Sequence, residues 1–167
     1  ILESAFGLCH NMKQINIGAK VSKISPICMF WGCNANVTIS KNNPNYMVDN
    51  GFLYTKDKKT LVACLKSCKG EITIDSGVEN IGFVAFDAQE ITKVILPQSI
   101  KTIETYAFSQ CEKLESIEIP NSIISIAVGA FDRCSNLSEI NIDKEENSIS
   151  GAPWGAPKGI KAVNWKK

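Results

Sequence analysis

The chain has 167 residues, 44% of them hydrophobic and 21% charged, with a formal net charge of +1. That balance describes one folded domain or module rather than a disordered segment. A near-neutral charge supplies no field for nucleic acid or an anionic membrane, and apolar runs such as "PICMFW" are far too short for a transmembrane helix.

The opening "ILESAFGLC" has no initiator Met, no basic region and no long apolar stretch, so these residues do not themselves read as a signal peptide, and a signal further upstream stays compatible with the pattern. It starts in mid-pattern without a polar capping coil, and the expectation is a fragment of a longer protein. The first patterned unit is "AFGLCHNMKQINIGAKVSKI", whose apolar positions are Phe6, Cys9, Met12, Ile15, Ile17, Val21 and Ile24. A second unit opens at "MFWGC" with Phe30 and Cys33 and continues through Val37 and Ile39.

The next interval, Ile39 to Ile74, is about a dozen residues longer than one unit. The excess falls on "FLYTKDKKTLVA", residues 52–63, which alternates on both sides of a polar "KDKK". This predicts a protruding β-hairpin. Residues 41–70 hold six Lys and two Asp. Lys56, Lys58 and Lys59 therefore form a solvated tip or, on the sharper reading, a basic docking arm.

Regular units then resume. "ITIDSGVENIGFVAF" contains Ile72, Ile74, Val78, Ile81 and Phe86, and "VILPQSIKTIETYAF" contains Val94, Leu96, Ile100, Ile103 and Phe108. "AFSQCEKLESIEIPNSIISI" (107–126) is followed 23 residues later by "AFDRCSNLSEINIDKEENSI" (130–149), with Phe, Cys, Leu and Ile in the same slots. A further 23 residues beyond Phe131 lies Trp154, in "GAPWGAP". Val163 and Trp165 then occupy the I-x-I slots, so 151–167 reads as a degenerate final repeat.

Each unit carries an I-x-I pair at strand period, a second apolar pair at spacing three, and a Phe-x-x-Cys-x-x-Leu segment that suits a tight 3₁₀ turn. None buries its apolar face alone, whereas stacked coils share a core, with like slots roughly 4.8 Å apart. Seven I-x-I strands are expected, at Ile15, Val37, Ile72, Val94, Ile117, Ile140 and Val163, in one stack roughly 30 Å long. The residues expected to line up as one interior spine are Phe6, Phe30, Phe86, Phe108, Phe131 and Trp154.

Residues 119–142, "IPNSIISIAVGAFDRCSNLSEINI", resemble the BspA-like leucine-rich repeat almost slot for slot. The segment "NPNYMVDNGFLYTKDKKTLVAC" also resembles a hairpin insertion of that family. The resemblance covers essentially the whole chain. Departures are the Cys-less turn near Phe86, the shortened "GCNANVTI" and the Trp154 turn. It implies a β-rich leucine-rich-repeat solenoid, an α/β superhelix class fold, right-handed, with about seven stacked coils, short strands and 3₁₀ turns. It also implies a surface or secreted setting and adhesion or protein binding, and it supplies no catalytic residues.

The seven Cys leave at least one thiol unpaired within the chain, and no C-x-x-C occurs. Slot cysteines Cys9, Cys33, Cys111 and Cys134 read as small buried hydrophobes. Cys28, Cys64 and Cys68 lie outside the slot, and spacing four between the last two is poor evidence for a metal site. His10, the one His, reads as an exposed turn residue. No nucleophile elbow, P-loop, dinucleotide fingerprint or zinc-protease motif occurs.

The remaining candidate is a surface. Between the inward residues of each I-x-I strand stands the column Asn16, Thr38, Thr73, Ile95, Glu118, Asn141, Asn164, with Lys93 and Glu139 on one flank. Asp143 and Lys166 lie on the other. Nearly free of aromatics, this face is either a recognition surface for a protein or glycan or a ladder of side chains that satisfy one another. The expectation is a non-catalytic extracellular or cell-surface recognition scaffold, with no cofactor, no metal, no nucleic-acid partner and no membrane insertion. The alternative is a structural spacer. An enzyme using Glu118 and Asp143 would need a cleft with paired carboxylates, which the sequence does not offer.

Overall fold

A computed structural model describes residues 1–26, 33, 35–65, 67–146, 148–157 and 162–166, the side chain of Ala162 excepted. In chain order it begins with β1 (Gln14–Ile17) and β2 (Asn36–Ile39), then β3 (Tyr46–Asp49), β4 (Phe52–Thr55) and β5 (Thr60–Cys64). There follow β6 (Lys69–Thr73), β7 (Asn80–Ile81), β8 (Glu90–Ile95), β9 (Thr102–Ile103) and β10 (Ser116–Ile119). The last three are β11 (Ser125–Ile126), β12 (Glu139–Ile142) and β13 (Ala162–Trp165). The described residues contain no helix and wind as a β-solenoid of about 6 turns.

The I-x-I strands form because β-branched side chains pack well on a pleated, half-buried surface. Their inward residues, such as Ile117 and Ile119, are buried, while Glu118 between them is exposed. The coil closes after one repeat, so each strand falls beside its like: Ile117 pairs with Ile140 and Ile119 with Ile142. Val163 then lies beside Ile140 and Trp165 beside Ile142. All these pairings are parallel, in the order β13-β12-β10-β8-β6. The single stack of seven strands is not what forms, however. β1 and β2 make a separate two-stranded ladder.

The insertion explains the division. β4 and β5 pair antiparallel, but β3 precedes them and pairs with β4, and β5 runs on parallel to β7. Together with β9 and β11 these strands build a second, six-stranded sheet. The hairpin expected over 52–63 forms, but it does not protrude: with β3 it makes a three-stranded wall. Leu53 and Tyr54, consecutive on β4 and therefore pointing to opposite faces, are both 0% exposed. Leu53 packs in the core under β1 and β2, and Tyr54 in the core of the later coils. A strand apolar on both faces is a partition between two cores, not an arm. At its exit Cys64 and Cys68 form a disulfide, leaving no thiolate for the metal site weighed above.

The Phe-containing turns also differ in detail from a 3₁₀ helix. Their hydrogen bonds are i→i+3 but fall on alternate residues: Ala85, Asp87 and Gln89 donate within the turn, while Val84, Phe86 and Ala88 donate to Thr105, Ala107 and Ser109 of the next coil. Left-handed residues two positions before and after each Phe produce this alternation. They are Val84 and Ala88, Tyr106 and Gln110, and Gly129 and Arg133. Half of the turn's N–H groups thereby bind coil to coil, satisfying backbone that would otherwise be buried unpaired.

The rings of Phe86, Phe108 and Phe131 stack nearly parallel, with centroids 5.2 and 5.8 Å apart. Phe52 of the insertion closes one end edge-on, 5.9 Å from Phe86. Burying each ring contributes about 1.5–3 kcal/mol, and the stacking adds about 0.5–1.5 kcal/mol per pair. The thiols of Cys111 and Cys134 donate to the carbonyls of Phe86 and Phe108 at 3.1 and 3.0 Å. The Cys slot therefore serves as a donor as well as a filler.

The six-residue spine is corrected. Phe6 is half-buried and packs in the other core. Phe30 lies outside the described residues. Trp154 is buried in the main core, but its carbonyl receives the Phe131 N–H where the earlier turns use the residue preceding the Phe. The Trp slot is therefore displaced by one backbone position. Its indole N–H is satisfied by the Ser150 carbonyl at 2.7 Å.

Candidate functional site

On a parallel ladder, like side chains on the outer face stand one strand spacing apart, about 4.8 Å. Amides and hydroxyls at that distance reach one another. In the first ladder the Thr38 hydroxyl donates to Asn16 Oδ1 at 2.6 Å, and Gln14 and Asn36 extend the network. In the second, Asn164 Nδ2 donates to Asn141 Oδ1 at 2.6 Å, and Asn141 Nδ2 to Glu118 Oε1 at 2.7 Å. The column is broken between Thr38 and Thr73, because β2 and β6 belong to different sheets.

The later part of this face is hollowed into an open groove of about 540 Å³. It brings together Lys93, Ile95, Glu118, Asn141 and Asn164 from the expected face. Asn16 and Thr38 are on the other ladder, and Thr73 and Glu139 do not line the groove. Asp143 and Lys166, read from sequence as the other flank, and Trp165, read as an I-x-I slot residue, also line it. Asp143 and Lys166 form an ion pair at 2.5 Å across neighbouring coils. Trp165 occupies a slot that elsewhere holds Ile119 or Ile142. β13 is the end strand of its sheet, so Trp165, like Val163, is only half-buried; its ring packs edge-on to Trp154 at 6.2 Å on the core side.

Electrostatically the groove is balanced. Its charged side chains are Lys93, Glu118, Asp143 and Lys166, two of each sign. Lys93 reaches Glu71 at 3.2 Å. Ile95 adds an exposed apolar spot on the floor.

The Lys residues of the insertion have partners, although Lys56 and Lys59 are exposed. Lys58 bridges Asp49 at 2.7 Å and Asp75 at 3.0 Å and lies 5.3 Å from the Tyr54 ring centre. Its hydrogen bonds to the two carboxylates raise its pKa, and the Lys58 ammonium holds the Asp75 carboxyl below the usual range. Tyr54 is raised by burial first and by its hydrogen bond to Asp75 second. Lys59 is paired with Glu79, which also takes Lys101 at 2.5 Å, and Lys56 donates to the Lys41 carbonyl at 3.1 Å. Lys58 and Lys59 thus tie the insertion to Asp75 and Glu79 of the next coil, while Lys56 and Lys59 stay exposed.

Other titratable groups serve the stack. Glu90 bridges Lys69 and Lys113, which lower its pKa. Burial pushes the Cys134 thiol up to about 12, so it is no nucleophile at neutral pH. His10 is exposed. Among the described residues no group of three His, Cys, Asp or Glu side chains could hold a metal, and no helix is long and apolar enough to cross a membrane.

The repeat pattern described as "BspA type Leucine rich repeat region" matches residues 1–63 and 63–154, in 6 copies. The chain belongs to the BspA-type leucine-rich repeat family. Solved structures sharing the fold include a leucine-rich repeat protein from Eubacterium ventriosum, 24% identical over 89% of this chain and 40% of that one, with a TM-score of 0.73. A leucine rich cell surface protein from Faecalibacterium prausnitzii is 25% identical over 90% of this chain and 52% of that one, with a TM-score of 0.56. The pneumococcal vaccine antigen PcpA is 19% identical over 90% and 48%, with a TM-score of 0.51. This repeat region thus spans about half or less of each of these proteins. No curated protein matches the chain.

Proposed function

We propose that this BspA-type module is a non-catalytic recognition scaffold of a secreted or cell-surface protein, binding a protein or glycan through the grooved face of β8, β10, β12 and β13. The observation that carries this is the groove, in which Lys93, Ile95, Glu118, Asn141 and Asn164 meet on one rigid sheet. Two observations support the setting. A disulfide at Cys64–Cys68 suits an oxidising compartment, and a protein of the same fold bears the description cell surface protein. Immobilised chain should bind members of a panel of extracellular-matrix proteins and glycans, and Asn141→Ala should weaken that binding. A panel with no saturable binder sinks the proposal.

A structural spacer is favoured by a different observation: the polar column satisfies itself, as a surface with no ligand requires. It predicts no specific ligand and an unaltered display function when the column is replaced by Ser.

A further inference from the structure

We propose that the Cys64–Cys68 disulfide is a reducible latch. Closed, it holds Leu65 in the core under β1 and β2. Reduced by a dithiol, it releases Leu65 and loosens the two-stranded ladder while the later coils stay folded.

The placement of the bond carries this. Cys64 ends β5 in the six-stranded sheet, and Cys68 directly precedes β6 in the five-stranded sheet, so the disulfide spans the corner where the chain crosses between them. Cys64 packs in the core of the later coils. Leu65, the next residue, is 2% exposed in the other core. Its N–H donates to the Gly51 carbonyl at 2.9 Å, in the turn between β3 and β4. On the far side of the bond the Cys68 N–H donates to Gln89 Oε1 at 2.8 Å. The cross-link therefore fixes a junction with one foot in each core.

The surroundings make reduction a local event. The loop closed by the bond is short, so the cross-link removes little chain entropy and the fold defends it weakly. Cys68 is half-buried and therefore the accessible end. A reduced Cys64 costs the main core no ring. Its N–H donates to the Ala85 carbonyl just as Phe86 donates to Ala107, so Cys64 stands in the backbone place of a slot Phe. Phe52, paired with it across β4 and β5, supplies the ring that meets Phe86. Cys111 and Cys134 show that this core accepts buried thiols. The first ladder has no such reserve, because its core is completed by Leu53, Ala63 and Leu65.

The chemistry is thiol–disulfide exchange. A thiolate of the dithiol attacks the Cys68 sulfur, the S–S bond breaks, and Cys64 leaves as a thiolate that takes a proton. The second thiol of the reductant then displaces Cys68. Two electrons have passed to the protein, and the reductant ends as a disulfide.

The test is amide hydrogen exchange of the whole chain, oxidised and after treatment with dithiothreitol under native conditions. Reduction should speed exchange in β1 and β2 by about tenfold and leave β8, β10 and β12 unchanged. The Cys64→Ala/Cys68→Ala variant should show the reduced pattern with or without dithiothreitol. Leu65→Ala should show it with the disulfide intact, and if that variant fails to fold the double Cys variant decides. The proposal is overturned if dithiothreitol leaves the bond intact, if β1 and β2 exchange equally in both redox states, or if all strands loosen together.

Discussion

The two ladders are built from the same repeat, yet they solve the packing problem differently. In the five-stranded ladder, successive coils cover one another and a run of Phe rings stacks through the middle. The two-stranded ladder has too few coils for that. Its core is completed by Leu53, Ala63 and Leu65 of the insertion. A solenoid coil needs an apolar neighbour, but the neighbour need not be another coil.

The largest test of this difference is truncation of matching residues. Phe108→Ala should cost about 3–5 kcal/mol in urea unfolding, because the ring is shared by two neighbours in a fully buried column. Phe6→Ala, at the equivalent slot but half-buried, should cost distinctly less. Equal losses would mean that the two cores are alike. Next, Leu53→Ala should cost about 2–5 kcal/mol and speed amide exchange chiefly in β1 and β2, whereas Leu61→Ala should act on β7 and the later coils. A reversed pattern breaks the partition.

Replacing both Cys64 and Cys68 by Ala opens a short loop and should lower stability by about 2 kcal/mol, read as a shift in unfolding midpoint. A smaller effect is expected from pH. Asp75, Glu79 and Glu90 have folded-state pKa values held down by Lys partners, so their contribution is present above the usual carboxylate range. It is lost as pH falls through those depressed values. Lys58 has the opposite sign: its contribution is present below the ordinary Lys value and lost as pH rises through the raised one. Lys58→Met should therefore flatten both limbs of the stability profile, and an unchanged profile would remove the clamp from the account. Smallest of all, Asn141→Ala should change stability by no more than about 1 kcal/mol, since its partners remain open to water.

The sequence by itself determined the repeat, the inward and outward sides of every I-x-I strand, and the polar column, because each follows from side-chain period and coil length. Lys93, Ile95, Glu118, Asn141 and Asn164 were legible as outward residues for that reason. Only the tertiary structure decided that the strands divide into two ladders, that the insertion is a wall, and that Lys58 and Lys59 are tied down. A strand such as Phe52–Thr55 alternates the same way whether its second apolar face meets water or another core. Which one it meets is set by long-range contacts that carry no local pattern. The same holds for Trp165: its slot was readable, but that it packs edge-on to Trp154 on the end strand of the sheet was not.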